Sequence, residues 1–282
     1  MNKLSIEKRV QVVSALVEGN SIRSTCRMTG TAKGTVIRLL RDVGKACIEY
    51  QDKHLKNLAC KKIQCDEIWG FVYSKEKNVP ENKQGQFGYG DVWTFTAIDA
   101  DTKLIPSWLV GLRNAECASE FVKDLKDRLV NRVQLTTDGH RMYLEAVESS
   151  FGSEIDYAQL VKLYGQDPES EKRYSPAECI ATEKHIVQGN PDIKAVSTSY
   201  VERQNLTMRM CMRRFTRLTN GFSKKVEYLE YHVALHFMYY NFARPHKTLA
   251  NPYPRTPAMA AGISDHIWTI QEIVSLADSN CP

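Results

Sequence analysis

The sequence predicts a mixed α/β fold, in which a β-sheet is flanked by helices and preceded by a small all-α domain. Three features predict it: short amphipathic helical segments near the N-terminus, alternating strand-like and helix-like segments in the middle, and a long Arg-rich helical segment after them. The 282 residues suffice for one sizeable core and a small extra domain. The predicted boundaries are 1–55 for the all-α domain, 56–250 for the α/β domain with an insertion at about 164–194, and 251–282 for a C-terminal tail.

The composition is ordinary for a globular protein, with 43% hydrophobic and 25% charged residues and a formal charge of +5. The positive residues concentrate at the N-terminus and in residues 203–225, which favours nucleic acid as a partner. The eight cysteines form no C-x-x-C pair, which is typical of reduced thiols and not of a zinc site or disulfide framework. Residues 232–242 are the most apolar run and are too short to cross a bilayer, so a cytoplasmic protein without membrane contact is expected.

The first 46 residues predict three helices. Residues 6–18 carry apolar side chains at helical spacing and end at a Gly-Asn pair, Ser21 caps a short second helix, and Thr31 caps a third. Three short helices with a Gly-containing turn before the last match a helix-turn-helix, whose third helix enters the DNA major groove. The alternative is a plain three-helix bundle used for packing or dimerisation. In the helix-turn-helix interpretation, Thr31, Lys33, Gly34 and Thr35 face base edges, and Arg38, Arg41 and Lys45 reach phosphates.

The middle of the chain predicts a mixed sheet. Three consecutive strands that can pair as a meander are followed by helix, strand, helix, strand and helix, an order that resembles the ribonuclease-H-like arrangement. The strands are predicted at residues 61–75, 91–101, 103–113, 132–137 and 156–163, and the helices at 115–129, 141–150 and 224–243.

Two carboxylates stand where strands run or end. Asp66 lies inside the first strand among apolar neighbours, where an unpaired charge is costly and a metal ion would remove the cost. Asp138 ends the fourth strand, at a Gly-assisted turn that is a usual site position in open α/β sheets. Glu67 is the main alternative to Asp66 as the metal-binding carboxylate, and it is expected to point to the other face of the sheet. For each aspartate the alternative is a surface side chain at a strand end or turn.

Residues 197–217, STSYVERQNLTMRMCMRRFTR, predict one uninterrupted helix. At about 100° per residue, Arg209 and Arg213 fall within about 20° of Glu202 on its front. Such a front suits a metal ion together with a polyanion, although a plain amphipathic surface helix is the alternative. The opposite, apolar side comprises Val201, Met208, Cys211, Met212 and Phe215.

Three blocks together resemble DDE-type transposases of bacterial insertion sequences, most closely the insertion sequence one family. The blocks are CDEIWGFV around Asp66, TTDGHRMY around Asp138, and SYVERQNLTMR followed by LTNGFSKKVE around Glu202. They span nearly all of residues 63–241, and as a set they are specific. Two features depart from the family: no cysteine zinc motif precedes the helix-turn-helix, and residues 164–194 lengthen the gap before Glu202, to which Glu178 and Glu183 are the alternatives.

The resemblance implies a catalytic triad of Asp66, Asp138 and Glu202 that binds two Mg²⁺ ions, with Mn²⁺ as a substitute. It implies a transposase that cleaves element ends and joins the 3′-hydroxyl to target DNA by two-metal phosphoryl transfer. The implied partners are terminal repeats, target DNA and further copies of the chain, as a homodimer or higher oligomer on nucleoid DNA. Arg203, Asn205, Arg209 and Arg213 would grip DNA near its cleaved end.

Two other functions fit the same residues. One is a non-catalytic DNA-binding protein derived from a transposase, and the other is a ribonuclease-H-like nuclease that cuts without joining. A strand-transfer assay separates the three, because each leaves a different product.

Overall fold

The computed structural model describes residues 3–165, 179–216 and 219–279. Its centre is a six-stranded mixed sheet with strand order β3-β2-β1-β4-β5-β6. β1 and β2 are antiparallel, as are β2 and β3, whereas β4 runs parallel to β1 and β5, and β6 returns antiparallel to β5. The strands are β1 Lys62–Val72, β2 Gly90–Asp99, β3 Trp108–Gly111, β4 Val133–Asp138, β5 Ile155–Tyr164 and β6 Cys179–Gln188.

The central strand β1 is buried or partly buried along its whole length, because helices cover both faces of the sheet. It carries the polar residues Gln64, Asp66 and Glu67 among its apolar neighbours. The helices of this part are α4 Ala115–Arg128, α5 Met142–Phe151, α6 Ser199–Cys211 and α7 Val226–Met238, the last continued by a π-helical turn, Tyr239–Ala243. Ile63 and Cys65 belong to a core on the side of helices α4 and α5, and Ile68 and Val72 belong to a second core on the side of α6 and α7. The mixed sheet with helices on both faces is therefore confirmed.

The predicted third strand is much shorter than residues 103–113. Ile105 is fully buried, but its backbone N–H and C=O bond to the side-chain amide of Asn241, each at 3.0 Å. Pro106 follows and has no N–H to donate to a ladder. Only Trp108–Gly111 therefore forms strand β3.

Strand β6 was not expected, since the sequence predicts an irregular insertion at 164–194. Cys179–Gln188 pairs with β5 from Tyr157↔Gln188 to Tyr164↔Cys179. Nearly all its side chains are exposed, so it lacks the buried apolar face whose period of two signals a strand. Residues 166–178, with Pro168, Pro176 and Glu178, lie outside the described residues.

The three N-terminal helices are α1 Ile6–Val17, α2 Ile22–Thr29 and α3 Lys33–His54. The hydroxyl of Ser21 caps α2 as predicted, accepting from the Ser24 amide at 3.1 Å. The prediction that Thr31 caps α3 is wrong: the N-cap residue is Ala32, whose side chain has no polar atom to form a cap bond. Thr31 is buried, and its hydroxyl donates to the Thr29 carbonyl at 3.5 Å.

Helix α3 is longer than a helix-turn-helix requires, and its second half belongs to the core. Gly44 lies directly against Tyr231 of α7, and the Gln51 amide donates to the Ala234 carbonyl at 3.2 Å. One cluster of buried side chains contains Leu16 of α1 together with Phe121 of α4. The core is therefore continuous across the predicted boundary at residue 55.

The C-terminal tail also joins this core. Helix α8 is Pro257–Ala260 and α9 is Ile270–Ser279, whose Ile273 and Val274 are fully buried. Asp278 accepts from both terminal nitrogens of Arg9 on α1, at 2.7 and 3.0 Å. Among the residues described, no helix combines the length and the apolar character needed to cross a membrane.

Candidate active site

Three carboxylates meet where strands β1 and β4 separate. The two strands pair from Lys62↔Gln134 to Gln64↔Thr136, and the ladder then ends while β1 continues. Asp66 and Glu67 on β1 lie just beyond this point, as does Asp138, the last residue of β4. One carboxylate oxygen from each lies within 4.8 Å of the other two.

Asp66 and Glu67 lie on opposite faces of β1, as expected. The amide of Asn205 on α6 donates to Asp66 Oδ2 at 2.9 Å, and Arg113 on the other side lies 3.3 Å from Glu67 Oε2. Strand β4 ends at Asp138, so its backbone does not lie between the side chains of Asp66 and Glu67. Both side chains therefore reach the same site, and Asp66 and Glu67 both belong to the carboxylate cluster.

Arg113 links two members of the cluster. Its Nη2 lies 3.3 Å from Glu67 Oε2 and 3.7 Å from Asp138 Oδ2, and its guanidinium stacks over the Trp93 ring at 4.6 Å. The arginine supplies one positive charge to carboxylates that would otherwise repel each other.

Gln64 positions helix α6 and thereby Glu202. Its Oε1 accepts from the backbone amides of Tyr200 and Val201, at 2.8 and 3.3 Å. These are donors of the first helical turn, which have no partner inside the helix. Since Gln64 and Asp66 share a face of β1, the bonds bring the start of α6, with Glu202, beside Asp66.

Glu202 lines the same cavity, of about 670 Å³, as Asp66, Glu67 and Asp138. Its carboxylate is held by Lys162 of β5, whose Nζ lies 2.5 Å from each oxygen, and by the Thr198 hydroxyl. The three predicted acidic residues are thus brought to one cavity, although Glu202 is neutralised by a lysine within it.

Burial makes two carboxyl groups of this site hard to ionise. Burial, together with the charges of Asp138 and Glu202, raises the pKa of Asp66 to about 6 against the hydrogen bonds that lower it. Burial also raises the pKa of Glu67 to about 7, with the charges of Asp138 and Asp66 adding to the effect and the Tyr143 hydroxyl and Arg113 opposing it. The carboxyl groups of Asp66 and Glu67 therefore change their protonation state near neutral pH.

Helix α6 ends earlier than predicted. It runs from Ser199 to Cys211, Met212 is extended, and Arg213 begins a separate 3-10 turn. Arg213 therefore does not share the front of Glu202, and that part of the prediction is wrong. The buried set Val201, Met208, Met212 and Phe215 is confirmed, with Cys211 only partly buried.

The break after Cys211 has a packing cause. Met212 and Phe215 both enter the core of α6 and α7, at 0% and 4% exposure. Burial of both side chains overrides the helical propensity of the segment. Arg217 lies outside the described residues.

The predicted DNA-binding residues occupy several environments. Arg203 is exposed and Arg209 lines the carboxylate cavity, whereas Asn205 is buried at 4% exposure and holds Asp66.

The predicted DNA-binding residues of α3 differ in exposure. Lys33, Arg38 and Lys45 are exposed, whereas Thr35 and Arg41 are partly buried. Arg41 also forms an ion pair with Asp42 at 2.8 Å.

The alternative carboxylate Glu183 lies elsewhere. It is exposed on β6, its Oε2 is 3.2 Å from His185 Nε2, and it does not line the cavity. Sequence reasoning missed Lys162, Arg113 and Gln64. The only signal for Lys162 was a lysine inside the apolar strand sequence QLVKLY.

The donor set fits a divalent cation. The cluster of Asp66, Glu67 and Asp138 supplies only carboxylate oxygens, which are ligands that Mg²⁺ and Mn²⁺ accept. Within the described part of the chain, Glu67 Oε1 is buried without a hydrogen bond of ordinary geometry. The buried Tyr143 hydroxyl interacts with the same carboxyl group and lowers its pKa. An orphaned buried oxygen is costly, and a cation would satisfy it.

The fold and the site define an α/β protein with a carboxylate-lined cavity at the divergence of two parallel strands. No protein-family model matches the chain, and no curated protein is significantly similar to it in sequence. Among solved structures, the piggyBac transposase synaptic complex with hairpin DNA aligns over 99% of this chain and 73% of that chain, at 11% identity and a TM-score of 0.41.

Two Mos1 structures align with lower scores. The Mos1 strand transfer complex covers 85% of this chain and 78% of that chain, at 11% identity and a TM-score of 0.25. The Mos1 transposase paired-end complex with the left transposon end aligns over 55% of this chain and 60% of that chain, at 13% identity and a TM-score of 0.23. This chain thus spans less than two thirds of the last of them, and scores this low carry no inference about function.

Proposed function

We propose that this chain is a DNA transposase of the DDE type, with a ribonuclease-H-like catalytic region, from a bacterial insertion sequence. It would cleave the ends of its element and join the 3′-hydroxyl to target DNA. One observation carries the proposal: Asp66, Asp138 and Glu202, from three elements far apart in sequence, line one cavity together with Glu67. Phosphoryl transfer of this kind depends on charge neutralisation and positioning at acidic metal sites.

Asp66, Asp138 and Glu202 would hold the divalent ions, Mg²⁺ or Mn²⁺, with Glu67 as a further oxygen donor. Bound there, the ions would supply charge neutralisation and activation of the attacking water or 3′-hydroxyl. Asn205 orients Asp66 through its amide, and Lys162 must leave Glu202 before that carboxylate can bind a cation.

DNA would lie across the cavity and reach the N-terminal helices. The first turns of α3, with the exposed Lys33 and Arg38 and the partly buried Thr35, would contact the duplex. Arg41 and Lys45 would reach its phosphates. Arg203 and Arg209 flank Glu202 and would hold the strand near its cleaved end. A homodimer or higher oligomer on DNA would bring two element ends together.

The test is an assay of cleavage and joining. A supercoiled plasmid carries the gene with its native flanks, and a second plasmid serves as target, with Mg²⁺ or Mn²⁺ supplied. Asp66→Asn should still bind DNA but should lose cleavage and joining by at least about 10³-fold, because one charge is removed where charge neutralisation is the catalysis. The matched control is Asp127→Asn, which changes an exposed aspartate on α4 and should leave both steps intact.

The products distinguish the alternatives. Joined product that disappears in Asp66→Asn supports the transposase. Cut product without joining indicates a nuclease, and a stable complex without either indicates a DNA-binding protein. Full activity of Asp66→Asn would remove the proposed catalytic site.

A further inference from the structure

A second cavity, of about 830 Å³, lies between the N-terminal helices and the segment that follows α6. One wall is the start of α2 and α3, and the other is the turn after α6 and the approach to α7. We call it the basic groove, defined by the five cations that line it: Arg23, Lys33, Arg213, Lys224 and Lys225.

The charge of the basic groove is not compensated by the protein. All five side chains belong to exposed residues, and none of them forms an ion pair within the described residues. No Asp or Glu is among the groove-lining residues that the structure describes. Five cations converging on one cavity without a carboxylate create a positive potential that favours an anion.

The floor of the basic groove adds a sixth cation. Arg214 donates from Nε to Nδ1 of His232 at 2.8 Å and from Nη1 to the Ser223 hydroxyl. His232 is therefore a neutral acceptor and does not balance the charge. Burial lowers the pKa of Arg214 to about 10, so the guanidinium stays charged at neutral pH.

One wall of the groove packs closely against α6. Gly19, at φ +81°, sits in the turn between α1 and α2, and a Cβ there would lie 3.0 Å from the Met210 carbonyl oxygen of α6. The other wall begins just after α6 and is closely packed within itself, since a Cβ on Gly221 would lie 2.7 Å from the Arg213 carbonyl oxygen. The basic groove therefore has a set position relative to α6, which also carries Glu202.

We infer that the basic groove binds the sugar–phosphate backbone of duplex DNA, at a position between the segment read by α3 and the strand in the carboxylate cavity. The inference rests on the proposed function for the identity of its ligand. A polymer fits better than a single phosphate because the cations stand on both walls and continue to the exposed start of α3. There, a Cβ on Gly34 would meet no atom within 4 Å, so the helix backbone is open to close approach.

Phosphate contacts are measurable without knowledge of a recognition sequence, because they are independent of base sequence. The probe is a fluorescein-labelled duplex of mixed sequence, titrated with full-length protein in EDTA at several salt concentrations. The groove variant is Arg213→Ala with Lys225→Ala. We expect at least about tenfold weaker binding at low salt, and a slope of log K against log [salt] reduced by roughly 2.

Two controls accompany it. Lys53→Ala with Lys123→Ala removes the same charge from exposed residues of α3 and α4, with Lys53 about 30 Å along the helix from Lys33, and should keep the wild-type slope. Arg213→Lys with Lys225→Arg retains the charge and should restore most of the affinity. Circular dichroism melts verify that every variant is folded.

The outcomes separate this inference from the proposed function, because the assay excludes metal and catalysis. If the slope of log K against log [salt] is reduced in the groove variant but not in the control, DNA binding by the basic groove is supported. This holds even for a protein that neither cuts nor joins DNA. An unchanged slope, or an equal loss in the control double variant, overturns it. A wild-type chain that binds no duplex at any salt overturns both.

Discussion

Glu67 carries one of the carboxyl groups of the cavity whose ionisation the fold opposes. Its carboxylate is buried beside Asp66 and Asp138, and its pKa rises from the ordinary 4.5 to about 7. The folded protein therefore binds a proton that the unfolded chain has already released over this interval. By linkage, the contribution of Glu67 to the free energy of unfolding falls as pH rises from about 4.5 to 7 and stays lower above it.

Glu67→Gln removes this dependence. In EDTA at pH 8 we expect the variant to be more stable than wild type by about 1–2 kcal/mol, whereas at pH 4.5 the two should be nearly equal. Urea denaturation at both pH values measures the difference. The comparison variant is Glu116→Gln, an exposed residue of α4, which should show no such trend. A Glu67→Gln protein less stable at pH 8 than at pH 4.5, relative to wild type, would contradict this account.

At the residue scale, the sequence predicted the acidic residues but not what holds them. Asp66, Asp138 and Glu202 could be found because a charge inside a strand, at a strand end or on a helix front is locally visible. Lys162 and Gln64 could not, since their roles depend on tertiary contacts to α6 that no local pattern encodes.

Among the elements, α3 illustrates how one helix can serve two purposes. Its start is exposed and basic, and its second half packs against α7 along a shared core. The closest approach is at Gly44, where a Cβ would lie 2.4 Å from Tyr231 Cβ. Only a residue without a side chain allows the two helices to come this near.

Gly44→Ala should therefore destabilise the protein by about 1–3 kcal/mol, through overpacking that outweighs the better helix propensity of Ala. Gly34→Ala is the matched control on the same helix, because its Cβ would meet nothing within 4 Å. It should be neutral or stabilising by less than about 1 kcal/mol. Thermal denaturation of both proteins is the measurement. Equal melting temperatures would show that the α3–α7 contact is looser than described.

The elements that the sequence predicted well are those with a buried face. α4, α5 and the paired strands β1, β2, β4 and β5 have apolar periodicity because one or both faces enter the core. Strand β6 was not predicted, because its side chains are nearly all exposed and therefore show no apolar periodicity. The end of α6 was misplaced because the burial of Met212 and Phe215 overrides a helical pattern.

At the scale of the whole molecule, the chain behaves as one packed body in the part that the structure describes. The N-terminal helices and α9 share a core with the sheet, and Arg9 ties α1 to Asp278 near the end of the tail. The predicted segments were largely right as elements, but their assembly around a common core was not visible from local sequence. In this assembly α6 lines the carboxylate cavity through Glu202, Asn205 and Arg209, and the segment that follows α6, from Arg213, lines the basic groove.

The central claim is that β1, β4 and α6 together make one divalent-cation site. The most direct measurement is anomalous diffraction from crystals of the wild-type protein grown with Mn²⁺ and a short duplex. We predict manganese peaks about 2.0–2.4 Å from carboxylate oxygens of Asp66 and Asp138, with Glu202 released from Lys162 and coordinating as well. Manganese bound only elsewhere, or a Lys162–Glu202 pair that persists beside an empty cluster at saturating Mn²⁺, would contradict it.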